Sequence, residues 1–214
     1  FGYNNAGLRF RTQKKKYNYS FGAILQQAGL EGKVINTGKD SVIKKTFTNF
    51  LPNARLQYNF TKFKNLAVNY TASTNQPTIS QLQPVPDISN PLNIKEGNPD
   101  LKQEYRNTVN MNFMAVNPFR NKNLFGQVSF TQTKNKIIND ITDIGGIKTT
   151  KPVNANGIYT ISGNADGGLP LRFLKGTINI GTSVNYNRNK QIINAVLNNI
   201  NNTSRGHSIM IESN

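Results

Sequence analysis

Few residues in this chain could carry covalent chemistry, and their spacing argues against it. His207 is the only histidine and cysteine is absent. A triad with histidine as base could therefore run only through His207, while disulfides and thiolate metal sites are excluded. Glu96, Asp100 and Glu104 recur every four residues, the interval that aligns carboxylates on a helix, but Gly97 and Pro99 interrupt that helix. "DITDIGG" at 140–146 and "GNADGG" at 163–168 couple Asp with Gly without the spaced oxygen ligands and closing Glu of a calcium loop. Their glycines suit turns or a thin wall. Neither catalysis nor a resident metal or cofactor is expected. The remaining chemical candidates are cations, Arg9, Arg11, Arg55 and Arg106, which could meet an anion if the fold gathers them.

The elements that would position these arginines are strands. In "YNYSFGAIL", Tyr17, Tyr19, Phe21, Ala23 and Leu25 share one face while Asn18, Ser20 and Gly22 take the other. The same alternation runs through Leu8 and Phe10, Ala54 to Phe60, Leu66 to Ala72 and Tyr105 to Ala115. It returns in Leu124 to Phe130, Tyr159 to Ala165 and Ile178 to Tyr186, and a ninth strand starts near His207. All four arginines fall on the polar face. The 34 asparagines disfavour long helices, and no run of about 18 apolar residues offers a helical membrane span.

Links between these strands alternate in length. Short ones are expected at 13–16, 62–65, 117–122 and 167–174, and long ones at 31–53, 75–104, 138–155 and 190–206. In an antiparallel meander every second link emerges at the same end, so one end has tight turns and the other extended loops. A transmembrane barrel has a reason for that segregation: strands of about ten residues put apolar side chains on lipid and polar ones on a wet interior, with short periplasmic turns and long external loops. The expected fold is all-β, a partial antiparallel up-and-down transmembrane β-barrel of eight to nine strands in the bacterial outer membrane. Tyr17, Phe60, Phe63, Tyr70, Tyr105 and Tyr186 suit interfacial girdles.

A formal charge of +16 ordinarily points to nucleic acid or anionic lipid. Here Lys14, Lys15, Lys16, Lys62, Lys64, Arg120, Lys122, Arg172 and Lys175 collect at the short turns, where acidic residues are nearly absent, whereas the long links are closer to balanced. A soluble nucleic-acid binder would place its cations beside aromatics on one sheet face, so nucleic acid is not the expected partner. If the short turns are periplasmic, the expectation is a basic periplasmic rim that meets anionic phospholipid headgroups of the inner leaflet.

The stretch "NYTASTNQPTISQLQPVPDISNPLNIKEGNPDLKQEYRNTVNMNF" resembles the barrel of TonB-dependent receptors, in particular the outer-membrane β-barrel family common in Bacteroidetes. The matching positions are Tyr70 and Thr71, Pro77, Leu82, Pro84, and then Gly97, Asn98, Pro99, Leu101, Lys102 and Glu104. Gln103 stands where the family usually has proline. The resemblance is specific over roughly residues 47–116, and it implies that residues 1–214 are a segment of one barrel domain lacking its plug. It further implies a transporter that captures a siderophore, glycan or peptide with its loops and moves it by plug rearrangement. Partners would be outer-membrane lipid and lipopolysaccharide, the plug and TonB of the full-length protein, and an unknown nutrient ligand or a surface lipoprotein. The motif is read as structural, seating a loop base, with Gly97 free to take positive φ and Pro99 disfavouring helix at Asn98. The four arginines could pair with a plug or attract an anionic substrate. An adhesin or purely structural barrel is the alternative function.

Overall fold

A computed structural model describes residues 2–34, 41–172 and 175–213. Its strands are β1 (Gly2–Gln13), β2 (Tyr17–Val34), β3 (Ser41–Thr61), β4 (Lys64–Asn75), β5 (Asn93–Lys95), β6 (Glu104–Asn117) and β7 (Lys122–Lys134). They continue as β8 (Lys136–Ile144), β9 (Ile147–Ala155), β10 (Ile158–Leu171), β11 (Gly176–Ile193) and β12 (Val196–Ser213), and one helical turn, α1 (Ile79–Leu82), precedes β5. The wall is an antiparallel meander, β1-β2-β3-β4-β6-β7-β10-β11-β12, and among the described residues it does not close on itself. These nine are the strands the alternation marks out.

Register turns the alternation into continuous rows across the wall. One row runs Phe10, Phe21, Ala54, Tyr70, Val109, Phe130, Ile161, Tyr186 and Thr203. The row one residue away runs Arg11, Ser20, Arg55, Asn69, Asn110, Ser129, Ser162, Asn185 and Ser204, all polar. A soluble sheet would bury the first row. Here Phe10, Phe21, Phe130 and Ile161 are exposed, as a lipid-facing surface requires.

The apolar band also slants. On β2 it spans Tyr17 to Leu25, centred on Phe21, and on β11 it spans Ile178 to Tyr186, centred on Thr182. The register partner of Phe21 across the wall is Tyr186, four residues beyond that centre. Strands tilted against a barrel axis shift the band in this manner. The two faces make opposite predictions: Val128→Lys, in the lipid-facing band, is expected to cost about 2–4 kcal/mol of barrel stability, and Ser129→Lys, one residue on, about 0–1. Denaturant unfolding in lipid vesicles checks this, and equal costs would remove the assignment of faces.

Three expected long loops prove to be strand instead. Of 31–53, all but 35–40, which lie outside the described residues, belong to β2 and β3. Residues 138–155 form the β8–β9 hairpin, turned by Gly145 and Gly146 at φ 62° and 84°. Residues 190–206 continue β11 and β12 around a turn at Asn194 and Ala195, both at positive φ. The strands run past the apolar band into water, where nothing enforces alternation. Among the described residues, the 75–104 link is the irregular long one, and it folds back onto the polar side of the wall. Leu30, Leu82 and Leu101 form a buried cluster there, with Ile43, Ile79 and Ile137 against it, and Leu30 shares the face of Ser20 by period two.

Candidate functional site

The inward-folded link is built from its first turn. Thr78 Oγ1 accepts from Gln81 N at 3.3 Å, and Gln81 Oε1 accepts from Thr78 N at 2.9 Å. This reciprocal capping box starts α1 and aims Ile79 at Gly32 of β2, where a Cβ would lie 2.4 Å from Ile79 Cδ1. Leu82, at the end of α1, is wholly buried, as is Pro77 before it.

The "GNPDLK" segment closes over α1. Gly97 is not at positive φ, which corrects the expected reason for a glycine. A Cβ there would stand 2.0 Å from the Gln83 carbonyl oxygen, so the position needs glycine for close backbone approach. Asn98 is the hub. Its N–H donates to Gln81 O at 2.6 Å, its Nδ2 to Pro152 O at 3.0 Å, and its Oδ1 accepts from Asp100 N at 3.0 Å. Lys45 of β3 donates to the carbonyls of Pro99 and Leu101. Asn154 of β9 takes the N–H of Lys102 at 2.8 Å and donates to its carbonyl at 2.9 Å. At the strand start, Glu104 is buried and accepts from Lys136 Nζ at 2.9 Å and Ile137 N at 3.0 Å.

The structure thus gathers Leu82, Gly97, Asn98, Pro99, Leu101 and Glu104 into one seat. Tyr70 and Pro84 lie apart from it. Tyr70 faces outward and donates to Asn107 Oδ1 at 2.8 Å, and Pro84 is exposed. Glu96, Asp100 and Glu104 do not converge: Glu96 lies 4.0 Å from Lys151, and Glu104 pairs with Lys136. Farther out, the backbones of Asp87 and Lys95 pair through two hydrogen bonds, and hydrogen bonds from the Ser89 hydroxyl and N–H hold the Asp87 carboxyl below the usual value.

Lys45, Asn49, Lys136 and Asn154 were not legible as site residues, because nothing in their local pattern sets them apart. Gln103 was visible only as a departure from the family's proline. Its side chain exchanges two amide hydrogen bonds with the buried Asn49, which also reaches toward Gln26 Oε1 at 3.5 Å. Gln103→Pro removes that exchange and leaves Asn49 short of partners, a loss of about 1–3 kcal/mol. The expected result is a lower temperature for loss of the compact, unboiled band on gels. An unchanged temperature would show that Asn49 finds water instead.

The polar face also holds a basic concavity of about 310 Å³ lined by Arg9, Arg11, Asn18, Tyr19, Ser20, Arg55 and Gln57. Arg11 and Arg55 flank Ser20 in one register row, and Arg9 donates to Ser20 Oγ at 3.1 Å. Among the described residues, no carboxylate lines it. Arg106 is not part of this group; it sits on β6 opposite Ser73 and Thr133.

The sequence matches the outer membrane protein beta-barrel family over residues 3–214. The chain belongs to that family. It is accordingly a protein of the bacterial outer membrane. Among solved structures, it is similar to the siderophore receptor PirA from Pseudomonas aeruginosa, with a TM-score of 0.49 and 10% identity, over 98% of this chain and 46% of that one. The chain spans about half the length of that receptor. No curated protein matches it.

Proposed function

We propose that this chain is part of the wall of a TonB-dependent outer-membrane receptor, of the type common in Bacteroidetes, that imports a nutrient such as a siderophore, glycan or peptide. The carrying observation is the 76–103 link, seated on the inward face of a wall that nine strands leave open. An eight-stranded barrel fills its interior with side chains, whereas a wall this wide leaves room for a plug and a solute path. Family membership supports the barrel.

In this reading, the outer ends of the β2–β3, β8–β9 and β11–β12 hairpins and the 76–103 link capture the solute. A plug then rearranges, driven through TonB by the inner-membrane proton gradient. No bond of the solute is broken. Arg9, Arg11 and Arg55 are lumen-wall contacts for carboxylates of the plug or for an anionic solute.

The test is growth on a panel of ferric siderophores, glycans and peptides, each as the only source of its nutrient. Strains carrying the full gene, its deletion, or a TonB lesion are compared. Loss of one nutrient in both the deletion and the TonB lesion supports import. Undiminished uptake of every solute, with lost adherence to surfaces, would favour an adhesin.

A further inference from the structure

The periplasmic rim is where the band of lipid-facing side chains ends, and it is strongly basic. Its centre is a pair of adjacent turns, residues 62–63 and 118–121, drawn together by a hydrogen bond from Val116 N to Phe63 O at 2.8 Å. They carry Lys62, Lys64, Arg120 and Lys122, all exposed. The Lys14–Lys16 turn joins the same group through Asn59 N to Lys16 O at 2.6 Å.

Two features aim these charges at lipid rather than at bulk water. Lys64 and Lys122 share the outward face with Leu66 and Leu124 by strand period. Lys64 Nζ also sits over the rings of Phe60 and Phe113, 5.1 Å and 5.7 Å from their centroids, which places an ammonium at the edge of the aromatic belt. Phe119, at the tip of its turn, is 92% exposed.

At the opposite end, some cations are paired with carboxylates. There, Lys44, Lys136 and Lys151 each have a carboxylate partner within 4.0 Å. Among the described residues, none of the four cations at the rim centre forms an ion pair. Their turns contain no acidic residue.

We infer that this rim binds the phosphate headgroups of anionic phospholipids in the inner leaflet, with Lys62, Lys64, Arg120 and Lys122 as the principal contacts. Charge complementarity and continuity with the apolar band select this occupant, since the layer bordering the band on that side is the headgroup layer. The inference rests on the short turns facing the periplasm, the general arrangement of outer-membrane barrels, and is independent of what the barrel imports.

The experiment uses the full-length protein in nanodiscs of phosphatidylcholine with one-fifth phosphatidylglycerol, followed by release into detergent and native mass spectrometry of retained lipid. Each basic residue near an anionic surface contributes roughly fivefold in apparent affinity. The quadruple variant Lys62→Gln, Lys64→Gln, Arg120→Gln, Lys122→Gln is therefore expected to lose retained phosphatidylglycerol by more than about tenfold. The matching variant with Arg at positions 62, 64 and 122 is expected to keep it. Heat-modifiable mobility checks that both are folded. Equal retention by wild type and the Gln variant overturns the inference. So does release of the lipid by millimolar inorganic phosphate, which would indicate a general anion patch, or an equal loss on neutralising Lys44 and Lys148 at the other end.

Discussion

Replacing Gly97 with valine is expected to unseat the 76–103 link while the wall stays folded. A Cβ at this position would fall 2.0 Å, 2.7 Å and 2.8 Å from the O, C and N atoms of Gln83. These are backbone atoms, so no rotamer change relieves the contact, and the two segments must part by about 1 Å. Parting them stretches Asn98 N to Gln81 O, now 2.6 Å, and opens the packing of Leu82 against Leu101. Overpacking alone costs about 1–3 kcal/mol, and exposing a buried leucine cluster adds about 2–5. Limited proteolysis of the outer-membrane fraction should then cut between residues 84 and 96 in the variant alone, while the unboiled compact band persists. Gly97→Asn separates two explanations. Asparagine tolerates positive φ, so it would rescue a position that needed that conformation, but it is expected to fail here as valine does because the conflict lies at Cβ. Wild-type protease resistance in the valine variant would sink this account of the seat.

The wall was legible in the sequence because lipid and water meet its two faces over the same residues. Between Tyr17 and Leu25 every outward side chain must be compatible with hydrocarbon and every inward one with water, so period two is forced. Beyond the band both faces are wet. Thr46 and Thr48, and Asn198 and Asn199, lie in strands, yet they read as loop because no apolar face remains to mark them. The β8–β9 hairpin was obscured similarly, although its Gly145–Gly146 turn was written out. The motif at 97–104 was visible as a motif, and its glycine gave the right residue for a different reason. Which strand residues hold it was not visible, because Lys45 and Asn154 contact it across 54 and 52 residues of sequence. Such partnerships exist only once register is set. The arginines show the same limit: alternation placed all four on the polar face, but only register could show that Arg11 and Arg55 flank Ser20 while Arg106 stands apart.

Glu104→Ala is expected to free the β8–β9 hairpin from the inner side of the wall. Glu104 is 3% exposed and serves three donors: Lys136 Nζ at 2.9 Å, Ile137 N at 3.0 Å and Asn75 Nδ2 at 3.4 Å. Two of them begin β8, so this one carboxylate ties the start of β6 to the start of the hairpin. Removing one member of a buried pair costs about 3–5 kcal/mol. The lower end applies, because the Lys136 side chain is 34% exposed and can turn to water, whereas the Ile137 N–H has no such freedom. Glu104→Gln keeps an acceptor for Ile137 N–H and loses only the charge, so about half the effect should remain. Hydrogen exchange on the full-length protein in detergent provides the readout. Residues 136–155 should exchange faster in the alanine variant, less so in the glutamine variant, with β6, β7 and β10 protected in both. The double variant Glu104→Gln, Lys136→Met separates charge from packing. An apolar replacement of a buried pair is often neutral, so it should recover protection if Glu104 acts mainly by satisfying Lys136, and should match Glu104→Gln if the Ile137 hydrogen bond carries the attachment. Unchanged exchange over 136–155 in Glu104→Ala would mean that the other ties hold the hairpin without Glu104: Asn154 to the carbonyls of Lys102 and Asn135 at 2.9 Å and 2.7 Å, Asn98 Nδ2 to Pro152 O at 3.0 Å, and the pairing of β5 with β9.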